Sequence, residues 1–257
     1  MKAVLVLLLL APAAAFAQSP FDGTWLVISD NTQLPQKPAV YFLAKGRLRC
    51  SDCMANKEIK ADGRDHKIAE TSYSDTVSVR IVDPLTVELI AKKAGKAMFT
   101  EVDTVSSDGN TLTQVVKDTT EAEAVTIEIR SRRVEKGPAG AHAISGSWRA
   151  YESNRSRNGS IIKYKCTADG FSAETPLGER YDAKFDGNDY PVEDDPGHTM
   201  VSVKRVSQNS VEVTAKRNGK VVSISHLSVA PDGKSIQVVF EDKERNTTTT
   251  FSMQKQP

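Results

Sequence analysis

The chain reads as all-β, two tandem up-and-down meander β-barrels, on three observations. It is written twice, its apolar residues alternate with a period of two, and short turn signals separate the alternating runs. Laying Asp62-Gly63 over Asp186-Gly187, a shift of 124 positions, places Val77-Ser78-Val79-Arg80 on Val201-Ser202-Val203-Lys204, Val87-Glu88 on Val211-Glu212, Gly95-Lys96 on Gly219-Lys220 and Asp108-Gly109 on Asp232-Gly233 without a gap. Upstream, Gly23-Thr24-Trp25 matches Gly146-Ser147-Trp148, and Cys50 matches Cys166. Short repeats build solenoids or propeller blades, whereas a unit of roughly 120 residues can carry a core of its own.

Taken in order, the first element is an address. Met1-Lys2 is a positive start, Val4 to Leu10 an apolar run and Ala15-Phe16-Ala17 a small-x-small cleavage site, so residues 1–17 are predicted to be a signal peptide cut before Gln18. The apolar run is too short to span a bilayer, and the expectation is a periplasmic or secreted protein with no transmembrane segment. The first barrel is predicted over 18–136, a Gly/Pro/Ala-rich linker over 137–142 and the second barrel over 143–257. Strands are predicted over Thr76 to Val82, Thr86 to Lys92 and Val125 to Val134, and again over Val201 to Val206, Val211 to Lys216 and Val221 to Val229, where β-branched residues alternate with polar ones. Lys93-Ala94-Gly95-Lys96, Arg217-Asn218-Gly219-Lys220, Ser107-Asp108-Gly109-Asn110 and Pro231-Asp232-Gly233-Lys234 supply the turns. Asn-Gly and Asp-Gly accept the positive φ that tight hairpins require, so successive strands pair with their neighbours. A long meander removes its edges by closing into a barrel.

Gly-x-Trp at the start of each copy, Gly23-Thr24-Trp25 and Gly146-Ser147-Trp148, followed by about a hundred residues of hairpin-linked strands, resembles the lipocalin and calycin group. The second copy also resembles small exported bacterial proteins of unassigned function through Ala183-Lys184-Phe185-Asp186-Gly187-Asn188-Asp189-Tyr190-Pro191-Val192. The resemblance implies that Trp25 and Trp148 each close one end of a barrel, with a basic residue of the last strand across the ring. Arg130, Arg132 or Arg133 is the expected partner in the first copy and Lys255 in the second. The Thr-Asp-Tyr motif of that group is missing from both copies.

Cys50-Ser51-Asp52-Cys53 is a C-x-x-C in an exported chain. It follows a strand-like run rather than opening a helix, and no βαβ pattern surrounds it, so a structural disulfide between Cys50 and Cys53 is expected in place of redox chemistry. A Cys50 to Cys166 bridge across a pseudo-twofold axis is the alternative. The four histidines and Cys166 lack ligand spacing, Glu193-Asp194-Asp195 with Asp189 reads as a solvated acidic turn, and neither a metal nor another cofactor is expected. A net charge of +1 gives no electrostatic footprint for nucleic acid. Aromatic residues concentrate in the second copy, and Tyr164, Tyr181, Phe185, Tyr190, Phe240 and Phe251 are the candidate ligand-contacting residues. The leading function is a non-enzymatic binding protein holding a small apolar or amphipathic molecule in a barrel. The alternative is an interaction module with solid barrels docking an exported protein partner, and thiol chemistry at the C-x-x-C is the third reading.

Overall fold

The computed structural model of the protein describes residues 19–51, 58–68, 74–120 and 123–257; residues 1–17, read from the sequence as a signal peptide, and Cys53 lie outside them. The strands of the first copy are β1 (Gly23–Gln33), β2 (Ala39–Ala44), β3 (Arg47–Cys50), β4 (Ile59–Lys60), β5 (Asp62–Lys67), β6 (Thr76–Ile81), β7 (Thr86–Lys93), β8 (Lys96–Val105), β9 (Thr111–Asp118) and β10 (Val125–Lys136). Those of the second are β11 (Gly146–Arg155), β12 (Ile161–Cys166), β13 (Gly170–Glu174), β14 (Arg180–Lys184), β15 (Tyr190–Pro191), β16 (Met200–Ser207), β17 (Ser210–Arg217), β18 (Lys220–Val229), β19 (Ser235–Asp242) and β20 (Thr247–Lys255). All the expected strands form. The β7–β8 and β17–β18 hairpins turn on Ala94-Gly95 and Asn218-Gly219, each with positive φ at both residues, the twist that matches right-handed strands.

The chain forms two antiparallel ten-stranded sheets, each nearly closed into a barrel. In one barrel the ends of the sheet meet where Arg180 and Glu193 exchange backbone hydrogen bonds of 3.2 and 2.8 Å. In the other, the sheet's end strands β4 and β5 follow one another in the chain through Ala61, which joins the two ends.

The membership of the sheets does not follow the copies. One sheet runs β4-β3-β2-β11-β10-β9-β8-β7-β6-β5, the other β14-β13-β12-β1-β20-β19-β18-β17-β16-β15. The two first strands are therefore exchanged: β1 sits between β12 and β20 in the second barrel, and β11 sits between β2 and β10 in the first. The boundary at 137–142 divides the sequence copies, but the barrels are 39–155 and the pair 23–33 with 161–255. The cores follow the sheets. Phe21 and Trp25 pack with Phe171, Val203, Leu227 and Met253, while Ile144 and Trp148 pack with Leu43, Val79, Val105 and Leu112.

The hinges explain the direction the chain takes. Between β1 and β2 stands Leu34-Pro35-Gln36-Lys37-Pro38, whose prolines fix φ and lack a backbone N–H for strand pairing, and the chain bends at Gln36-Lys37 on its way to β2 in the other sheet. The equivalent segment between β11 and β12 holds a single 3-10 turn at Asn158–Ser160, and β1 and β11 touch as they leave for opposite barrels. Exchange of an identical element through a stiff hinge is the geometry of domain swapping, here within one chain.

Candidate functional site

Each barrel is sealed at one end by its tryptophan. Trp25 and Trp148 are fully buried, and each indole Nε1 donates to the carbonyl four residues back, to Phe21 at 2.7 Å and to Ile144 at 2.8 Å, so the polar edge of each ring is satisfied. A basic side chain crosses each ring as the resemblance implied, but the partners are crossed by the strand exchange. Arg133 lies 3.9 Å from the centroid of Trp148, and Lys255 lies 5.2 Å from that of Trp25. Arg130 and Arg132 are on the outside, with Arg130 paired to Glu128 and Arg132 stacked on Tyr151. Arg133 also donates to the carbonyls of Ser145 at 2.8 Å and Ala143 at 2.7 Å. The glycine of the motif has a physical reason. Gly146 has φ +133°, and a Cβ there would collide with the Glu135 carbonyl and approach Arg133 Nη1 to 2.8 Å.

Above the floor, inward side chains stand in rows set by the strand register. In the second barrel the row of Val229, Ile236 and Met253 is buried. Moving up β18, β19 and β20, the inward residues Phe251, then Ser225, Phe240 and Thr249, then Ser223, Asp242 and Thr247 are all partly accessible. Leu227 and Val238, on the row of Phe251, are still buried, so this wall opens to solvent access from the row of Ser225, Phe240 and Thr249 onward, toward the end remote from Trp25.

The six aromatic candidates separate into three settings. Tyr164 and Tyr181 flank the buried Phe171, with centroids 5.2 and 6.5 Å away, and Phe21 meets Phe171 edge-on at 5.4 Å; these rings fill the lower barrel. Both hydroxyls are desolvated, which holds the two phenols above their usual pKa. Phe185 and Tyr190 lie at the seam between β14 and β16. Arg205 covers Phe185 at 4.5 Å beside a groove of about 350 Å³ that Ser202 and Lys204 also line. Tyr190 donates to Asp186 at 2.8 Å, a bond that raises its pKa. Phe240 and Phe251 are the two on the open wall.

The same wall of the first barrel carries different chemistry, and reading the sequence for aromatic residues passed over it. Asp103 on β8 pairs with Val87 and Gln114, and Glu101 pairs with Leu89 and Val116, so both carboxyls project into the interior two residues apart. Asp103 is 7% exposed and its Oδ1 has no hydrogen-bond partner. The Gln114 amide donates to Tyr41 Oη at 3.0 Å and to Glu101 Oε1 at 2.9 Å. Burial, and then the charge of Glu101, pushes Asp103 well above the usual carboxylate range. Burial also raises Glu101, although hydrogen bonds from Asp103 and Gln114 and the field of Arg245, on the β19–β20 turn, oppose it. The two carboxyls stand two residues apart on the same face of β8, close enough that each bears on the other's ionisation. Strand alternation was the available signal: Glu101 and Asp103 share parity with the core residue Val105.

Among the cysteines, Cys50 is disulfide-bonded and Cys166 is a buried free thiol, which removes the Cys50 to Cys166 alternative; Cys53 lies outside the described residues. The acidic turn is internally partnered. Arg180 pairs with Glu193 and Asp194, Lys216 with Asp189, and the Asp195 carboxylate accepts from the backbone N–H groups of Gly197 and Thr199 at 2.7 and 2.6 Å. Comparison with known families, curated proteins and solved structures finds no match to this chain.

Proposed function

We propose that the protein is an exported binding protein whose barrels hold small molecules, a lipocalin-like use of the fold without catalytic chemistry. The observation that supports this most directly is the contrast along β18–β20. The floor row is buried, while Ser225, Phe240, Thr249 and Phe251 above it keep accessible surface although they face inward. A solid barrel would bury these rows as fully as the floor. Small hydroxyl-bearing residues beside two aromatic rings give an amphipathic wall, which fits a small apolar or amphipathic ligand.

The test is a titration with N-phenyl-1-naphthylamine, a neutral apolar fluorophore. Saturable enhancement is expected, and Ser225→Phe, which fills the lumen from a position that already faces inward, should abolish it while the protein stays folded. Absence of saturable binding, or binding indifferent to Ser225→Phe, would overturn the reading and favour the protein-docking alternative.

A further inference from the structure

The two barrels offer an internal comparison, because each inward position has an equivalent in the other copy. Asp103 corresponds to Leu227, Gln114 to Val238 and Glu101 to Ser225, on the same rows of the same wall. The fold accepts Leu and Val at two of these positions, where they are 2% and 4% exposed. Burying a carboxyl with an unpartnered oxygen at an equivalent site is unfavourable, and the architecture does not require it. Groups that break the packing rule of their own fold mark functional places.

The chemistry of the cluster limits what it can take. Gln114 turns its amide protons to Tyr41 and Glu101, so what remains toward the interior is carboxyl oxygen, Asp103 Oδ1 above all. When ionised, such oxygens accept and do not donate. A ligand that satisfies them must bring N–H or O–H donors, and one that also brings positive charge favours the ionised form of both carboxyls. We infer that the interior of the first barrel is a site for a small organic cation bearing a primary ammonium or guanidinium group, held between Glu101 and Asp103 with Tyr41 beside it. The inference rests on the reading that the barrels hold small molecules, but it concerns a different barrel and a different ligand class from the apolar wall of Phe240 and Phe251. The charged and titratable groups facing this site are Glu101, Asp103 and Tyr41, with Asp118 one row above Glu101, Arg155 across β10 on the row of Glu101 itself, where its guanidinium reaches the Gly159 carbonyl at 3.3 Å, and Arg245 entering from the β19–β20 turn. Arg245 is drawn back by its ion pair with Asp242 at 3.0 Å.

The experiment is calorimetric titration of the full mature chain with butylammonium and with butylguanidinium, using tetramethylammonium as a cation without donors and butanol as a donor without charge. Either or both of the first two should bind, the controls should not, and affinity should rise with pH because the ligand displaces a proton. The double variant Asp103→Leu with Gln114→Val installs the residues of the second barrel, and should weaken cation binding by about tenfold or more. Its N-phenyl-1-naphthylamine binding should be unchanged. Cation binding equal in the variant, binding of tetramethylammonium as tight as that of butylammonium, or no binding of either cation would overturn the inference while leaving the apolar site standing. Carbon-13 titration of the wild-type side chains gives an independent reading. Glu101 and Asp103 should retain a proton above the ordinary carboxylate range and lose it on adding the cation, and two ordinary titrations would defeat the proposal whatever the calorimetry shows.

Discussion

Truncating Trp148 tests the strand exchange and the sealed floor together. By sequence Trp148 belongs to the second copy, but it lies in the first barrel's core, 1% exposed, against Ile144, Leu112 and Val105, under Arg133. Trp148→Ala removes the largest side chain of that cluster, for which about 3–5 kcal/mol is the usual cost. Part of that comes from the cation–π contact, about 2 kcal/mol when desolvated, and the two figures overlap rather than add. A loss of this size is comparable with the whole stability of a marginal domain, about 5–15 kcal/mol. Amide hydrogen exchange localises it, since about 1.4 kcal/mol is a factor of ten in opening. Protection in β6–β9 should fall by about two to three and a half powers of ten, while β16–β19, in the barrel that Trp25 closes, change far less. If β16–β19 lose protection and β6–β9 keep it, each copy closes on its own tryptophan and the exchanged topology is wrong.

Three further outcomes follow from the same geometry. Thr24 faces Lys163 across β1 and β12, whereas Ser147, its equivalent, faces Val40; a Thr24→Cys chain should therefore crosslink with Lys163→Cys and not with Val40→Cys, as read by peptide mapping. Gly146→Ala places a Cβ at φ +133° against the Glu135 carbonyl, and should cost about 1–3 kcal/mol or more in urea unfolding; an unchanged midpoint would remove the reason given for the glycine. Because folding raises the pKa values of Glu101 and Asp103, the folded chain holds more protons than the unfolded one between the ordinary carboxylate range and the raised values. Their contribution to stability is fully present below that window and is lost as pH rises through it. Asp103→Leu with Gln114→Val should flatten this decline, read as urea-unfolding stability against pH, above about pH 4. The surface aspartates Asp62, Asp108 and Asp186, whose pKa values are lowered, act in the opposite sense at lower pH and cancel in the comparison.

Much of the architecture was legible residue by residue. Alternation in runs such as Val87 to Ala91 and Val211 to Ala215 specifies strands, because period two is a local property of the pleated backbone. Asn218-Gly219 specifies a hairpin, because only a few residues tolerate its φ. The Gly-x-Trp pair pointed to a cation across each indole, and Arg133 and Lys255 lie across them, each on the other copy's tryptophan. The interior acids were also within reach of the sequence: Glu101 and Asp103 keep the parity of Val105, and the repeat sets Asp103 against Leu227. What single residues could not say is that they meet Gln114 and Tyr41, from strands 13 and 73 positions away from Glu101 and Gln114 respectively.

The exchange of β1 and β11 belongs to tertiary structure alone. Gly23-Thr24-Trp25 and Gly146-Ser147-Trp148 offer the same glycine, the same indole and the same alternation, so either strand fits either barrel and local preference is indifferent between them. The choice is made where the chain leaves β1: the Leu34 to Pro38 segment bends at Gln36-Lys37 and delivers the chain to β2 in the other sheet, a destination that no local preference of its residues specifies.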